Sequence, residues 1–170
     1  IPERGLRYLE ASAARQDIYG FHNLGFVSLV GLTGGEPEYA AAYDWFVKAA
    51  EGGHPRSPTT IGRMIVRGQV EASRAEALRW YDMGLERGDP WGGVNAATMI
   101  LNGAVSGFTP ADALVRAAKA QFLPEDDPAA RARSIVGDAA EGDLSRAVQT
   151  LLNELGAGVT VDGAVAGNGG

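Results

Sequence analysis

Two stretches of this sequence carry the same kinds of residue in the same order. Residues 42–53 read AYDWFVKAAEGG and residues 77–88 read ALRWYDMGLERG. Trp45 and Trp80 are 35 residues apart (80 − 45), and the alanine that opens each stretch and the glycine that closes it keep this spacing. A period of this length is typical of stacked helical repeats. Such arrays usually present binding surfaces and rarely catalyse reactions.

We call these stretches the second phrase of a repeat. A first phrase precedes each of them in the sequence. It begins with two adjacent small or apolar residues and continues at offsets of four and seven from the first of them. These offsets select one face of a helix, and a glycine in the last place suits a residue that leaves the helix with positive φ. The copies are Leu24-Gly25 with Ser28 and Gly31, Ile61-Gly62 with Ile65 and Gly68, Ala96-Ala97 with Ile100 and Gly103, and a weaker one at Ile135, Ala139 and Gly142.

Together the two phrases predict an all-α array over residues 1–156 with a period of about 35 residues. We expect units near 20–53, 57–88, 92–122 and 128–156, a lone helix at 4–16 before them, and a Gly-rich tail or the start of a further module at 157–170. The helices are expected at 4–16, 20–31, 37–52, 58–68, 73–87, 90–103, 110–122, 128–140 and 143–156.

Prolines and capping residues support these helix starts. Proline loses no internal hydrogen bond at the first helical position, and a preceding polar side chain can accept from the free amides. Thr109 and Asp112 also have the spacing of a capping box. The expected first-position prolines are Pro37, Pro58, Pro90, Pro110 and Pro128, and the expected caps are Ser57, Asp89, Thr109 and Asp127.

Composition excludes several classes of function. The net charge of −6 argues against nucleic-acid binding, which requires basic patches. Cysteine is absent, so disulfides, thiolate metal sites and cysteine catalysis are excluded. The sequence contains no run of 18 or more apolar residues, so no membrane-spanning helix is predicted. The sequence begins inside an amphipathic pattern and stops without a closing element, and we interpret it as a piece of a longer protein.

The two phrases resemble the Sel-one-like repeat, a relative of the tetratricopeptide repeat. In that family a helix with L-G-x-x-Y-x-x-G precedes a helix with A-x-x-W-Y-x-K-A-A-x-x-G. The resemblance implies a right-handed α-solenoid of antiparallel helix pairs. It also implies an adaptor that holds protein partners, in bacteria often within envelope or signalling assemblies. The matching residues are Ala42, Trp45, Phe46, Lys48, Ala49, Ala50 and Gly53, then Ala77, Trp80, Tyr81, Gly84, Leu85 and Gly88.

The segment 147–163 resembles the opening of a small bacterial peptidoglycan-binding domain. That domain carries Q-x-x-L-x-x-L-G on its first helix and then V-D-G-x-x-G. The alternative is that 143–156 is simply the second helix of the fourth unit, followed by a Gly-rich end. The residues that fit the domain are Val148, Gln149, Leu152, Leu155, Gly156, Val161, Asp162 and Gly163.

Packing explains the residues that could otherwise suggest chemistry. Five aromatic side chains are expected to fill the space between neighbouring helix pairs, and truncation of either tryptophan among them is expected to cost roughly 3–5 kcal/mol. His54, in the turn GGHP, is expected to be solvated. It shares no metal-ligand spacing with His22. We therefore expect neither a metal, nor a cofactor, nor an enzyme. The five aromatic residues are Tyr8, Trp45, Phe46, Trp80 and Tyr81.

The remaining candidate site is the face of the first helices, which line the concave side of such a solenoid. The favoured hypothesis is a non-enzymatic scaffold that binds a protein or peptide. The alternative is a positioning segment of a bacterial envelope protein that carries a peptidoglycan-binding module, so the cell envelope or periplasm is favoured over the cytoplasm. A third hypothesis is that the array regulates a neighbouring catalytic domain. The candidate partner-binding residues are His22, Asn23, Arg63, Arg67, Asn95 and Asn102.

Overall fold

A computed structural model describes residues 3–32, 34–124 and 126–154. The chain forms two compact units, Ile1–Gly92 and Gly93–Gly170. The described residues form nine helices and no strand, and every helix end lies within three residues of its predicted position. The helices are α1 (Glu3–Ala14), α2 (Ile18–Val30), α3 (Tyr39–Glu51), α4 (Ser57–Val66), α5 (Arg74–Glu86), α6 (Pro90–Leu101), α7 (Pro110–Gln121), α8 (Asp126–Gly137) and α9 (Glu141–Glu154).

In the first unit, each helix of the first phrase packs against the following helix of the second phrase. α2 packs on α3, and α4 packs on α5. In both pairs, an aromatic ring of the second helix packs against a glycine of the first helix. A Cβ atom added at Gly25 would lie 2.7 Å from the ring of Phe46, and one added at Gly62 would lie 2.8 Å from the ring of Tyr81. The Leu-Gly and Ile-Gly steps of the first phrase therefore make room for the second aromatic residue of the other phrase.

The structure corrects the prediction of which aromatic side chains fill this space. Phe46 is fully buried and Tyr81 is 3% exposed. Trp45 and Trp80 are only half-buried, and Tyr8 is 69% exposed. Adjacent residues on a helix point about 100° apart, so only one member of each aromatic pair can face the partner glycine. The packing role belongs to Phe46 and Tyr81.

The predicted helix ends are confirmed in the first three repeats. Gly31, Gly68 and Gly103 all have positive φ, between 64° and 68°, and each follows a first helix. In each case two backbone N–H groups turn back to the last helical carbonyls, which is the Schellman arrangement. The prediction for Gly142 is wrong, because this residue lies in the first turn of α9.

The predicted caps divide into two groups. Asp89 accepts from the backbone N–H of Trp91 (3.1 Å), and Thr109 forms the expected capping box with Asp112. Ser57 and Asp127 do not cap, because both lie inside their helices. Of the five prolines expected at a first helical position, Pro90 and Pro110 lie there. Pro58 is the second residue of α4, Pro128 is the third residue of α8, and Pro37 lies two residues before α3.

The second unit is built largely from alanine. α7 packs on both α8 and α9, and Ala113, Ala117 and Ala120 of α7 are fully buried. Ala97 and Ala117 occupy the repeat positions of the glycine and the ring, and both are fully buried. Lys119 forms a surface ion pair with Glu154 at 2.7 Å.

Candidate functional site

The six predicted partner-binding residues fall into both units. His22 and Asn23 lie on α2, Arg63 lies on α4, and Arg67 is the C-cap of α4, all in the first unit. Asn95 lies on α6 and Asn102 directly follows it, in the second unit. Asn23, Arg63, Arg67 and Asn102 are exposed, whereas His22 and Asn95 are half-buried.

The exposed side of α4 carries an arginine stripe. Arg56 is the N-cap of α4, Arg63 follows seven positions later, and Arg67 follows after four more. All three are exposed. Spacings of seven and four place side chains on one helical face. Arg56 was not among the predicted residues, although this spacing in the sequence indicates it.

Two of these arginines have no charged partner in the part of the chain that the structure describes. Neither Arg63 nor Arg67 forms an ion pair or a side-chain hydrogen bond there. Both lie close enough to Tyr81 to act on its ionisation. Burial raises the pKa of the Tyr81 hydroxyl to about 12, while Arg63, Arg74 and Arg67 pull that pKa down. A concentration of positive charge therefore surrounds this end of α4, within a chain whose net charge is −6.

The matching face of α2 carries an apolar stripe. Tyr19 is 59% exposed, Val30 is 52% exposed, and Phe26 between them is half-buried. Each lies 37 residues before its counterpart in the arginine stripe (56 − 19, 63 − 26 and 67 − 30). The apolar stripe and the arginine stripe therefore occupy equivalent repeat positions on consecutive first helices.

A buried polar cluster connects α2 to the start of α4. The rings of His22 and His54 stack at 3.8 Å between centroids. Both Nδ1 atoms lie within hydrogen-bond distance of the Ser57 hydroxyl oxygen, at 2.8 Å for His22 and 3.0 Å for His54. His54 is only 4% exposed, so the prediction that it is solvated is wrong.

Backbone geometry fixes the position of the proton on the His54 ring. The backbone N–H of Ser57 donates to Nδ1 of His54 at 3.2 Å, so that nitrogen is unprotonated and His54 carries its proton on Nε2. The Ser57 hydroxyl can then donate to His54 and accept from Nδ1–H of His22. Every group in this arrangement is neutral, and His54 acts as a cap for α4.

The cluster disfavours positive charge. Burial lowers the pKa of His22 to about 4, with smaller effects from His54 and Arg56. Burial also lowers the pKa of His54, and Arg56 adds to this. Ser57 is fully buried, so its hydroxyl is closed to a substrate. The described residues contain no group of three or more potential metal ligands. The contact between serine and histidine thus serves packing and helix capping.

A groove lies on another side of the first unit, between α1 and α3 and above α2. Its volume is about 580 Å³. Its apolar lining includes Leu6, Ala13, Phe21, Leu24, Val27 and Trp45. Its charged lining consists of Glu10, Glu36, Glu38 and Lys48. We call this feature the acid-rimmed groove. Helical spacing within one segment did not predict the groove, because its walls combine side chains of three consecutive helices, α1, α2 and α3.

Comparison with solved structures finds proteins of similar fold. The sequence matches no protein-family model and has no significant match among curated proteins. A solved Sel1 repeat protein from Oxalobacter formigenes superposes with a TM-score of 0.67 and 19% identity, over 89% of this chain and 64% of that protein. A protective antigen present in uropathogenic Escherichia coli strains, which displays an SLR fold, superposes with a TM-score of 0.63 and 17% identity, over 90% of this chain and 41% of that protein.

This chain therefore spans less than two thirds of either protein. In the described residues, no helix is both long enough and apolar enough to cross a bilayer. The predicted all-α helical-repeat solenoid is confirmed by the helices and by both superpositions. The chain has the fold of the Sel-one-like repeat proteins.

Proposed function

We propose that this chain is a non-enzymatic scaffold whose first unit binds an acidic, amphipathic segment of a partner protein. The observation that carries the proposal is the pair Arg63 and Arg67, exposed on one helical face without a carboxylate partner in the described part of the chain. Unpaired arginines on a surface are well suited to carboxylates, because the guanidinium group can donate two parallel hydrogen bonds.

Helix stability alone accounts for only part of this arrangement. A cation near the C-terminus of a helix interacts favourably with the helix dipole, which suits Arg63 and Arg67. The same effect disfavours a cation at the N-terminus, where Arg56 stands. Arg56 also adds positive charge beside the buried His54 and the half-buried His22. The helix dipole therefore does not account for all three positions of the arginine stripe.

The apolar stripe defines the other half of the partner. Tyr19 contacts His54, with 5.1 Å between ring centroids, and His54 caps α4. The apolar stripe therefore adjoins the end of α4 at which Arg56 lies. A helix that presents leucine-like side chains on one edge and glutamates on the other would match both stripes. The fold of the compared structures suits such a surface, because helical arrays bind through distributed contacts.

A peptide titration tests this proposal. The probe is a labelled peptide of about 15 residues, long enough to form a helix, with leucines at helical spacing and glutamates elsewhere. We expect the double variant Arg63→Glu, Arg67→Glu to weaken binding at least tenfold, as measured by fluorescence anisotropy. Binding to the parent should also weaken as salt is added, since exposed charges are screened.

The matched control is the double variant Arg79→Glu, Arg133→Glu. It makes the same change in net charge at two exposed arginines outside both stripes. We expect this control to bind within twofold of the parent. Equal losses in the two double variants would show that only net charge matters, and an unchanged affinity in the first would refute the proposal. Far-UV circular dichroism establishes that each variant is folded.

Asn95 and Asn102 remain predictions for the second unit. The resemblance to a peptidoglycan-binding domain has no further support. Val148, Gln149 and Leu152 lie on α9, as the alternative of an ordinary repeat helix also requires. Leu155, Gly156, Val161, Asp162 and Gly163 lie outside the described residues.

A further inference from the structure

The acid-rimmed groove is a second surface of the first unit, and its charge is opposite to that of the arginine stripe. Glu10 lies on α1, whereas Glu36 and Glu38 lie in the loop between α2 and α3. Lys48 on α3 supplies the one positive charge among the groove residues. The lining therefore has an excess of two carboxylates over ammonium groups.

The single cation of the groove is already engaged. The Lys48 ammonium lies 4.4 Å from the centre of the Trp45 ring. The Trp45 ring also stacks on Phe21, with 5.8 Å between centroids and 21° between planes. Lys48, Trp45 and Phe21 thus form one layered wall. None of the three glutamates forms an ion pair or side-chain hydrogen bond with a described residue, so their charges face the groove uncompensated.

The walls below these charges are apolar, and the volume suits a ligand. Leu24 and Val27 are each 6% exposed and form the floor on α2, while Leu6 and Ala13 form the α1 side. A volume of about 580 Å³ falls in the range of roughly 300–1,000 Å³ that is common for ligand sites. That space admits several side chains of a peptide, but not a whole domain.

We infer that the acid-rimmed groove binds a short peptide segment of a partner protein in which branched or aromatic apolar side chains are flanked by lysine or arginine. The apolar side chains would rest on α2 between α1 and α3, and the flanking cations would meet the carboxylates of Glu10, Glu36 and Glu38. Charge complementarity selects this occupant over an acidic segment, because glutamates that face like charges lose affinity.

The experiment uses the full chain and a labelled peptide of about 15 residues, with leucines at helical spacing and lysines elsewhere. We expect the triple variant Glu10→Gln, Glu36→Gln, Glu38→Gln to raise the dissociation constant about tenfold, since each exposed ion pair contributes only a modest factor. Ser28→Trp, which fills the groove from α2, should raise the dissociation constant by at least as much.

The matched control is the triple variant Glu51→Gln, Glu71→Gln, Glu86→Gln. It removes three charges at exposed positions outside the groove, and we expect less than a twofold change. Equal weakening in both triple variants, or no weakening in Ser28→Trp, overturns the inference. Failure of the lysine peptide to bind the parent overturns it as well.

Two further measurements separate the remaining outcomes. Arg63→Glu with Arg67→Glu should not weaken lysine-peptide binding, so failure of the arginine stripe and failure of the groove are distinguishable. Sedimentation velocity tests whether a second copy of the chain occupies the groove. A dimer that Ser28→Trp converts to a monomer would assign the groove to self-association and overturn the inference of a basic peptide.

Discussion

Truncation of Phe46 is expected to destabilise the first unit far more than truncation of its neighbour Trp45. Phe46 is fully buried on Gly25, and its ring makes edge-to-face contacts with Phe26 and His22 at 5.2 Å and 5.4 Å between centroids. Buried Phe→Ala changes cost roughly 3–5 kcal/mol, and the two ring contacts place Phe46→Ala in the upper half of that range.

Trp45 has a larger ring than Phe46 but buries a smaller fraction of it. It is half-buried, stacks on Phe21 and carries Lys48 on its face. Because solvent already reaches the indole, we expect Trp45→Ala to cost about 1–2 kcal/mol. This cost is smaller than the roughly 3–5 kcal/mol expected from the sequence, because that expectation treats Trp45 as a buried core residue.

Urea unfolding followed by far-UV circular dichroism measures both variants against the parent. We expect the unfolding midpoint to fall by at least twice as much for Phe46→Ala as for Trp45→Ala, with unchanged slopes. A cost for Trp45→Ala equal to or above that of Phe46→Ala would refute the packing of a ring on a glycine.

Three further predictions concern single contacts. Gly25→Ala should destabilise by at least about 1 kcal/mol despite the better helix propensity of alanine, because the added Cβ meets the Phe46 ring; in the Phe46→Ala background it should be neutral or stabilising. The free energy of unfolding should fall as the pH drops from 6.5 towards 4. The pKa of His22 is about 4 in the folded chain, so over this range His22 binds a proton in the unfolded chain but not in the folded one. This loss is about 2 kcal/mol after allowance for partial exposure, and it should be absent from the variant His22→Gln, His54→Gln. Thr59→Val should stabilise by about 1 kcal/mol, because the buried hydroxyl of Thr59 finds no hydrogen-bond partner in the described chain.

Each of these predictions has its own check. For the glycine, additive effects in a double-mutant cycle would contradict the contact. For the histidines, a double variant whose stability still falls between pH 6.5 and 4.5 would assign that fall to carboxylates. For Thr59, the control is Thr60→Val, because the Thr60 hydroxyl donates to the carbonyl of Arg56 at 3.2 Å. Thr60→Val should not stabilise, and thermal melts compare the two.

The repeat pattern was sufficient to predict the helices, because their positions follow from local signals. Offsets of four and seven span about one and two helical turns, and glycines and prolines mark the helix ends beside them, so all nine helices of the described residues were predicted. The choice between Trp45 and Phe46 was not local. Both lie within the apolar arc of α3, and only the position of Gly25 on α2 decides which ring is buried.

The candidate site was predicted less completely than the helices, because it depends on contacts between helices as well as on local signals. Arg63 and Arg67 could be placed on an exposed face, because helical periodicity separates the inside of a helix from the outside. The burial of His54 depends on α2, whose Tyr19 and His22 cover it. One local signal was available: His54 follows the closing Gly53 of a Schellman turn, where a contact with the preceding helix is common.

The residue after that closing glycine joins two repeats. His54 and Asp89 are 35 residues apart (89 − 54) and equally buried at 4% exposure. Each donates its backbone N–H to the end of one helix and accepts at its side chain from the start of the next. An imidazole nitrogen cannot accept once protonated, whereas a carboxyl group retains an acceptor oxygen. Acid should therefore remove the hydrogen bond by which His54 connects α3 to the start of α4. The corresponding hydrogen bond of Asp89, between α5 and the start of α6, should persist, so the connection at His54 is the more acid-sensitive of the two.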